Sequence, residues 1–177
     1  MKRRSERILQ QLSGVQCGGL TLANPFMTAS GTSSHDVELG SYMPLDRLGA
    51  VVVKSLFHEP WEGNPAPRVH LAQGGMINAV GLQGPGVVAW IHESLPALEA
   101  ANVTTVASIW GRTLHEYVLA ANQLRAAGQS ISAIEVNLSC PNLEGRSGII
   151  AHDPSLAGRI ISAVCSESIV PVWAKLS

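Results

Sequence analysis

Charge is scarce in this chain. Of 177 residues, 12 are Lys or Arg and 13 are Asp or Glu, a formal net charge of −1. A nucleic-acid surface needs a basic excess, and there is none. Cysteine is scarce too. Cys17, Cys140 and Cys165 are odd in number and lack CxxC spacing, which favours a reducing compartment over a disulfide framework. No His pair stands at ligand spacing, so neither zinc nor an iron–sulfur cluster is expected here. Long apolar runs are missing, and no stretch approaches a transmembrane helix. The basic opening, MKRRSER, leads into residues 8–17, which are too polar for a signal-peptide core. It reads as a solvated start. Short repeats and low-complexity tracts are absent.

What remains is a chain that is 46% hydrophobic with 17 glycines. That suits one well-buried α/β domain with many tight loops. Residues 15–18 and 20–23 flank Gly19 and predict a small hairpin. Residues 25–29 read as a first strand ending at Ser30, residues 33–43 as a short helix, and residues 50–53 as a second strand ending at Lys54. Residues 56–86 are rich in Gly, Pro and Asn and read as a long functional loop. A helix over 87–101 is shortened or kinked by Pro96, and a third strand covers 103–109. Thr113 and Glu116 have capping-box spacing at the head of a helix over 113–128. Asp153 and Pro154 open the next helix, and residues 170–174 form a strand ending at Lys175.

The organising stretch is residues 133–142, AIEVNLSCPN. Its alternation puts Ala133, Glu135, Asn137 and Ser139 on one side of a strand and Ile134, Val136 and Leu138 on the other. Pro141 ends it. Cys140 is either a small buried turn residue or a thiol placed for proton transfer beside Asn137 and Asn142. Each predicted strand ends in a polar residue: Ser30, Lys54, Ser108, Asn137, Lys175. A (β/α)₈ barrel builds its site at those ends, but alternation alone also allows a doubly wound sheet.

NLSCPN and NAVGLQGPGV, together with NPFMTASG, Lys54, GNPAPRV and the final KLS, resemble the dihydroorotate dehydrogenases. The match runs from about Val15 onward. The resemblance implies a TIM (β/α)₈ barrel binding FMN and oxidising (S)-dihydroorotate to orotate in UMP synthesis, with Cys140 as the base. A free thiol has a pKa of about 8.5, within reach of a useful base. The resemblance also implies flavin contacts at Ser30, Lys54, Ser55, Ser108, Asn137 and Lys175. It implies substrate contacts at Lys54, at Asn78, Ala79, Val80, Gly81 and Leu82, and at Asn137 and Asn142. The family usually has asparagine where Ser108 stands, which puts that flavin contact in doubt. Cysteine at 140 places the chain with the soluble class of the family, and NAVGLQGPGV with the HDP at His152–Pro154 looks like its NAD-linked group. That group pairs a homodimer with a subunit carrying FAD and an iron–sulfur cluster, so a cytoplasmic protein off the membrane is expected. A barrel takes roughly 250 residues, so residues 1–177 read as the N-terminal part of one barrel domain, truncated after about the fifth strand. The alternatives are a dihydropyrimidine dehydrogenase-like flavin domain and an inactive half-barrel that only binds or assembles.

Overall fold

The computed structural model describes residues 14–139 and 149–177. Strands β1 (Val15–Cys17) and β2 (Leu20–Leu22) pair antiparallel. Their turn is Gly18–Gly19, with φ of 49° and 93°. Two positive φ values in succession are what a two-residue hairpin turn demands, and glycine adopts them freely. Strand β3 (Val51–Val52) follows. Next comes a second antiparallel hairpin, β4 (Val69–Ala72) and β5 (Gly75–Asn78). Then come α1 (Val87–Glu93), α2 (Leu95–Ala100), β6 (Thr105–Ile109), α3 (Leu114–Leu124), β7 (Ala133–Asn137), α4 (Pro154–Glu167) and β8 (Val172–Lys175).

Strands β3, β6, β7 and β8 form one parallel sheet in that order. One face buries Val51, Val53, Ala107, Ile109, Ile134 and Val136 against Trp90, Leu98, Tyr117, Leu124, Ile160 and Val164 of the helices. All the helical crossovers thus cover the same face, whereas a doubly wound sheet covers both. The other face starts apolar, where Leu22 of the β1–β2 hairpin joins Ala50, Val52, Val106 and Ala133. Further along the strands it turns polar, at Ser108, Glu135 and Asn137. The alternation read in residues 133–139 is the one observed. Among the described residues the sheet is open; it does not close into a barrel.

Local chemistry explains the helix ends. The Thr113 hydroxyl accepts the Glu116 N–H at 3.3 Å, and the Glu116 carboxylate accepts the Thr113 N–H at 2.9 Å. This satisfies donors that a helix start leaves unpaired. Asp153 accepts the Leu156 N–H at 2.9 Å, with Pro154 in the first turn. Pro96 has no N–H and crowds the preceding turn, so the predicted helix over 87–101 is two helices meeting at Ser94.

Three expectations need correction. Residues 25–29 make only a parallel bridge, Met27 to Ala50. There the Thr28 hydroxyl takes the Val52 N–H at 2.8 Å, so a side chain stands where a ladder carbonyl would. The predicted helix over 33–43 is reduced to a 3₁₀ turn at Glu38–Ser41. The Asp36 carboxylate accepts the Glu38 N–H at 3.0 Å, and Ser34 has φ of 61°, both incompatible with a continuous helix. The long loop is not structureless, since it holds the β4–β5 hairpin.

Candidate functional site

The C-terminal ends of β3, β6 and β7 carry a connected set of polar side chains. Ser55 is the hub. Its hydroxyl lies 3.0 Å from the Ser30 hydroxyl and 2.9 Å from that of Ser108, and it accepts the Asn137 amide N–H at 3.0 Å. Ser108 in turn donates to the Glu135 carboxylate at 2.9 Å. The Asn137 amide oxygen accepts both the backbone N–H and the hydroxyl of Ser139, at 3.2 and 2.9 Å. The Asn137 carbonyl accepts the Tyr117 hydroxyl at 2.8 Å. Ser55, Ser108 and Asn137 are buried, where such groups are stable only with their hydrogen bonds made.

Above this wall lies a cavity of about 480 Å³. Its floor is Ser30, Ser55 and Asn137, its side is Lys54, and its roof is the run from Asn78 to Leu82. The roof is held from outside. Asn64 donates its side-chain N–H to the Ala79 carbonyl at 3.0 Å and its backbone N–H to that of Val80 at 3.1 Å. Trp61 donates its indole N–H to the Gly81 carbonyl at 2.9 Å. In a trans peptide the N–H points opposite the carbonyl. The N–H groups of Val80, Gly81 and Leu82 therefore face away from Asn64 and Trp61. Gly81 has φ of 75°, and a Cβ there would sit 2.5 Å from the Asn64 nitrogen, so the roof requires glycine at that position.

The electrostatics favour an anion. Burial, then the Arg68 guanidinium, lowers the Lys54 pKa from its ordinary value. A negative ligand would relieve both effects. His35, beside Lys54 in an adjoining cavity of about 470 Å³, is pushed down to about 4 by burial and Lys54, with Asp36 opposing. It is neutral at physiological pH. Burial raises the Glu135 pKa, against the Ser108 hydrogen bond and the Lys175 charge. Lys175 is the register partner of Asn137 across β7 and β8.

The structure thus brings together Ser30, Lys54, Ser55, Asn78, Ala79, Val80, Gly81, Leu82 and Asn137 around one cavity. Ser108 is fully buried behind Ser55 and does not line it. Cys140 and Asn142 lie outside the described residues. Sequence reading passed over Gly31 and Ser34, which also line the cavity, and Arg68, which acts on Lys54. The arginine in GNPAPRV was the available signal. Among the described residues, no group of three His, Cys, Asp or Glu side chains could hold a metal. No described helix is long and apolar enough to cross a membrane.

A family model for dihydroorotate dehydrogenase matches residues 12–177. Among curated proteins, the chain is 39% identical over 163 residues to the catalytic subunit of dihydroorotate dehydrogenase B (NAD(+)) from Geotalea uraniireducens. It is 40% identical to that of Alkaliphilus metalliredigens and 41% identical to that of Desulforudis audaxviator. These matches cover 92–93% of the chain and 53% of each relative. The chain spans about half the length of the curated relatives it matches.

Proposed function

The chain belongs to the dihydroorotate dehydrogenase family, and from that premise we propose that it takes part in oxidising (S)-dihydroorotate to orotate in UMP synthesis. FMN, when bound, would supply the hydride acceptor. The residues present fit such a group: the Ser30 hydroxyl and the Asn137 amide, with a half-buried cation beside them, suit the imide edge of a planar ring. Ser30, Asn137 and Lys54 hold it in this reading, with the Ser55 hydroxyl fixing the first two from below and Lys175 alongside.

The substrate's carboxylate suits the roof, where Asn78 and the N–H groups of Val80, Gly81 and Leu82 offer donors and Lys54 a charge. Asn137 spends one amide hydrogen on Ser55 and has a second for the substrate. Cys140 follows Ser139 in the chain, and Ser139 is tied to Asn137. In this reading Cys140 accepts the proton from one ring carbon as hydride leaves its neighbour. The catalytic geometry belongs to a barrel of which the described sheet supplies one wall. The relatives' names, a catalytic subunit of an NAD(+) enzyme, support a partner that carries electrons onward through FAD and an iron–sulfur cluster to NAD. A homodimeric catalytic core in the cytoplasm completes the reading.

One observation carries this proposal: residues from segments far apart in sequence, Ser30, Lys54, Asn78 and Asn137, meet on one cavity. The test is anaerobic addition of dihydroorotate to the FMN-reconstituted protein. Bleaching of the flavin absorbance near 450 nm (roughly, the oxidised-flavin band) is expected, with dihydrouracil inert. Bound flavin that dihydroorotate leaves oxidised would sink the reading.

A further inference from the structure

The hydroxyl chain under the cavity has a direction, which can be worked out by counting protons. The backbone N–H of Ser139 can only donate, so it fixes the Asn137 amide oxygen on its own side. The Asn137 NH₂ then faces Ser55, which must accept. An ionised Glu135 carboxylate has no proton, so Ser108 donates to it. With that proton committed, the 2.9 Å contact between Ser55 and Ser108 requires Ser55 to donate. The Ser55 proton is now used as well, so Ser30 donates across its 3.0 Å contact. Each hydroxyl has one proton, and every one points toward Glu135.

We propose that Glu135 is a positioning residue that sets the polarity of the cavity wall, turning Ser30 toward the ligand as a hydrogen-bond acceptor. The wall then selects a ring N–H over a ring carbonyl. Protonation of Glu135 lifts the constraint that Ser108 must donate: with the acid proton on the oxygen facing Ser108, Glu135 donates, every hydroxyl reverses, and Ser30 shows the ligand a proton instead. Burial, which raises the Glu135 pKa, brings this reversal closer to neutral pH. Facing Glu135 are the Lys175 ammonium from β8 and the uncharged Ser108 from β6. Lys54 stands at the cavity edge with Arg68 and His35 as its neighbours.

The proposal rests on the flavin and orotate reading above. That chemistry has two sources of an imide N–H, the flavin and the substrate, so the test has two arms. FMN binding is followed by fluorescence quenching. Orotate binding to the FMN-saturated protein is followed by the shift in flavin absorbance. In the unaltered protein, one of these affinities is expected to weaken by about tenfold toward acid pH, the scale of one mismatched buried hydrogen bond. S108A and E135Q are each expected to flatten that dependence, since neither leaves a titrating group coupled to the chain, and S108A to sit near the acid limit at neutral pH. The double variant should be no worse than S108A alone, because both changes cut the same chain. Thermal melts establish that the variants fold. If S108A and E135Q keep the acid dependence, or their effects add, the proposal fails while the flavin reading stands. If the unaltered protein binds neither FMN nor orotate, both fail.

Discussion

The Trp173 indole N–H donates to the carbonyl of Gly18 at 2.9 Å, across 155 residues of chain. Strand β8 is thereby joined to the β1–β2 hairpin. The approach is close: a Cβ on Gly18 would sit 2.1 Å from the indole nitrogen. Gly18→Ala is therefore expected to destabilise the chain by about 1–3 kcal/mol, through overpacking and a strained φ together. Urea unfolding with the accompanying change in tryptophan fluorescence measures it. An unchanged midpoint would mean the hairpin is not held by Trp173.

Acid should weaken the fold through His35. Its folded pKa of about 4 lies below the ordinary 6.5, so between those values the unfolded chain binds the proton and the folded chain does not. Stability is expected to fall as pH drops across that window and to level off below it. His35→Asn should flatten this portion of the curve, read from denaturation midpoints at the two ends of the window.

Lys54, at the edge of the cavity, opposes stability. Its pKa is lowered by burial and by Arg68, so its penalty is full at low pH and lifts as pH rises toward the ordinary value. Lys54→Met is expected to raise the melting temperature of the ligand-free chain and to weaken binding of an anionic ligand. Loss of both properties together would show that Lys54 is held by a favourable contact instead.

The head of α3 offers a cleaner test. Thr113→Ala removes one side of the capping box and should cost about 1 kcal/mol. Glu116→Gln should cost more. Burial raises the Glu116 pKa, but hydrogen bonds from Arg112 and Thr113 outweigh it and lower the pKa overall. The same carboxylate is paired with the Arg112 guanidinium at 2.7 Å. That guanidinium lies 5.5 and 5.0 Å from the ring centres of Phe57 and Trp61. Near-ultraviolet circular dichroism should change in Glu116→Gln and not in Thr113→Ala.

Features set by near neighbours in sequence were legible. Thr113 with Glu116, and Asp153 with Pro154, are helix starts whose chemistry spans only a few residues. The alternation through Ala133, Glu135 and Asn137 placed the polar face correctly. That Lys175 is the charge near Glu135 was not legible, because it depends on which strand lies next to β7. The β4–β5 hairpin escaped because Val69, Leu71, Met76 and Ile77 are all exposed, which leaves no in–out alternation to read. Gly74–Gly75 between two short apolar runs was the usable sign. The Ser55 hub was invisible for a different reason. It joins residues from four separate segments, and nothing local to Ser55 announces it.

The strand order β3, β6, β7, β8 also bears on how the molecule is made. Each parallel strand lies beside the one synthesised just before it. A chain emerging from the ribosome can therefore extend the sheet at one growing edge, and among the described residues no strand has to be inserted between two already paired. The exception is the first hairpin. The Gly18 carbonyl meets its partner only after residue 173 has emerged, so a hairpin that precedes β3, β6 and β7 in the chain is fastened after all three have been made.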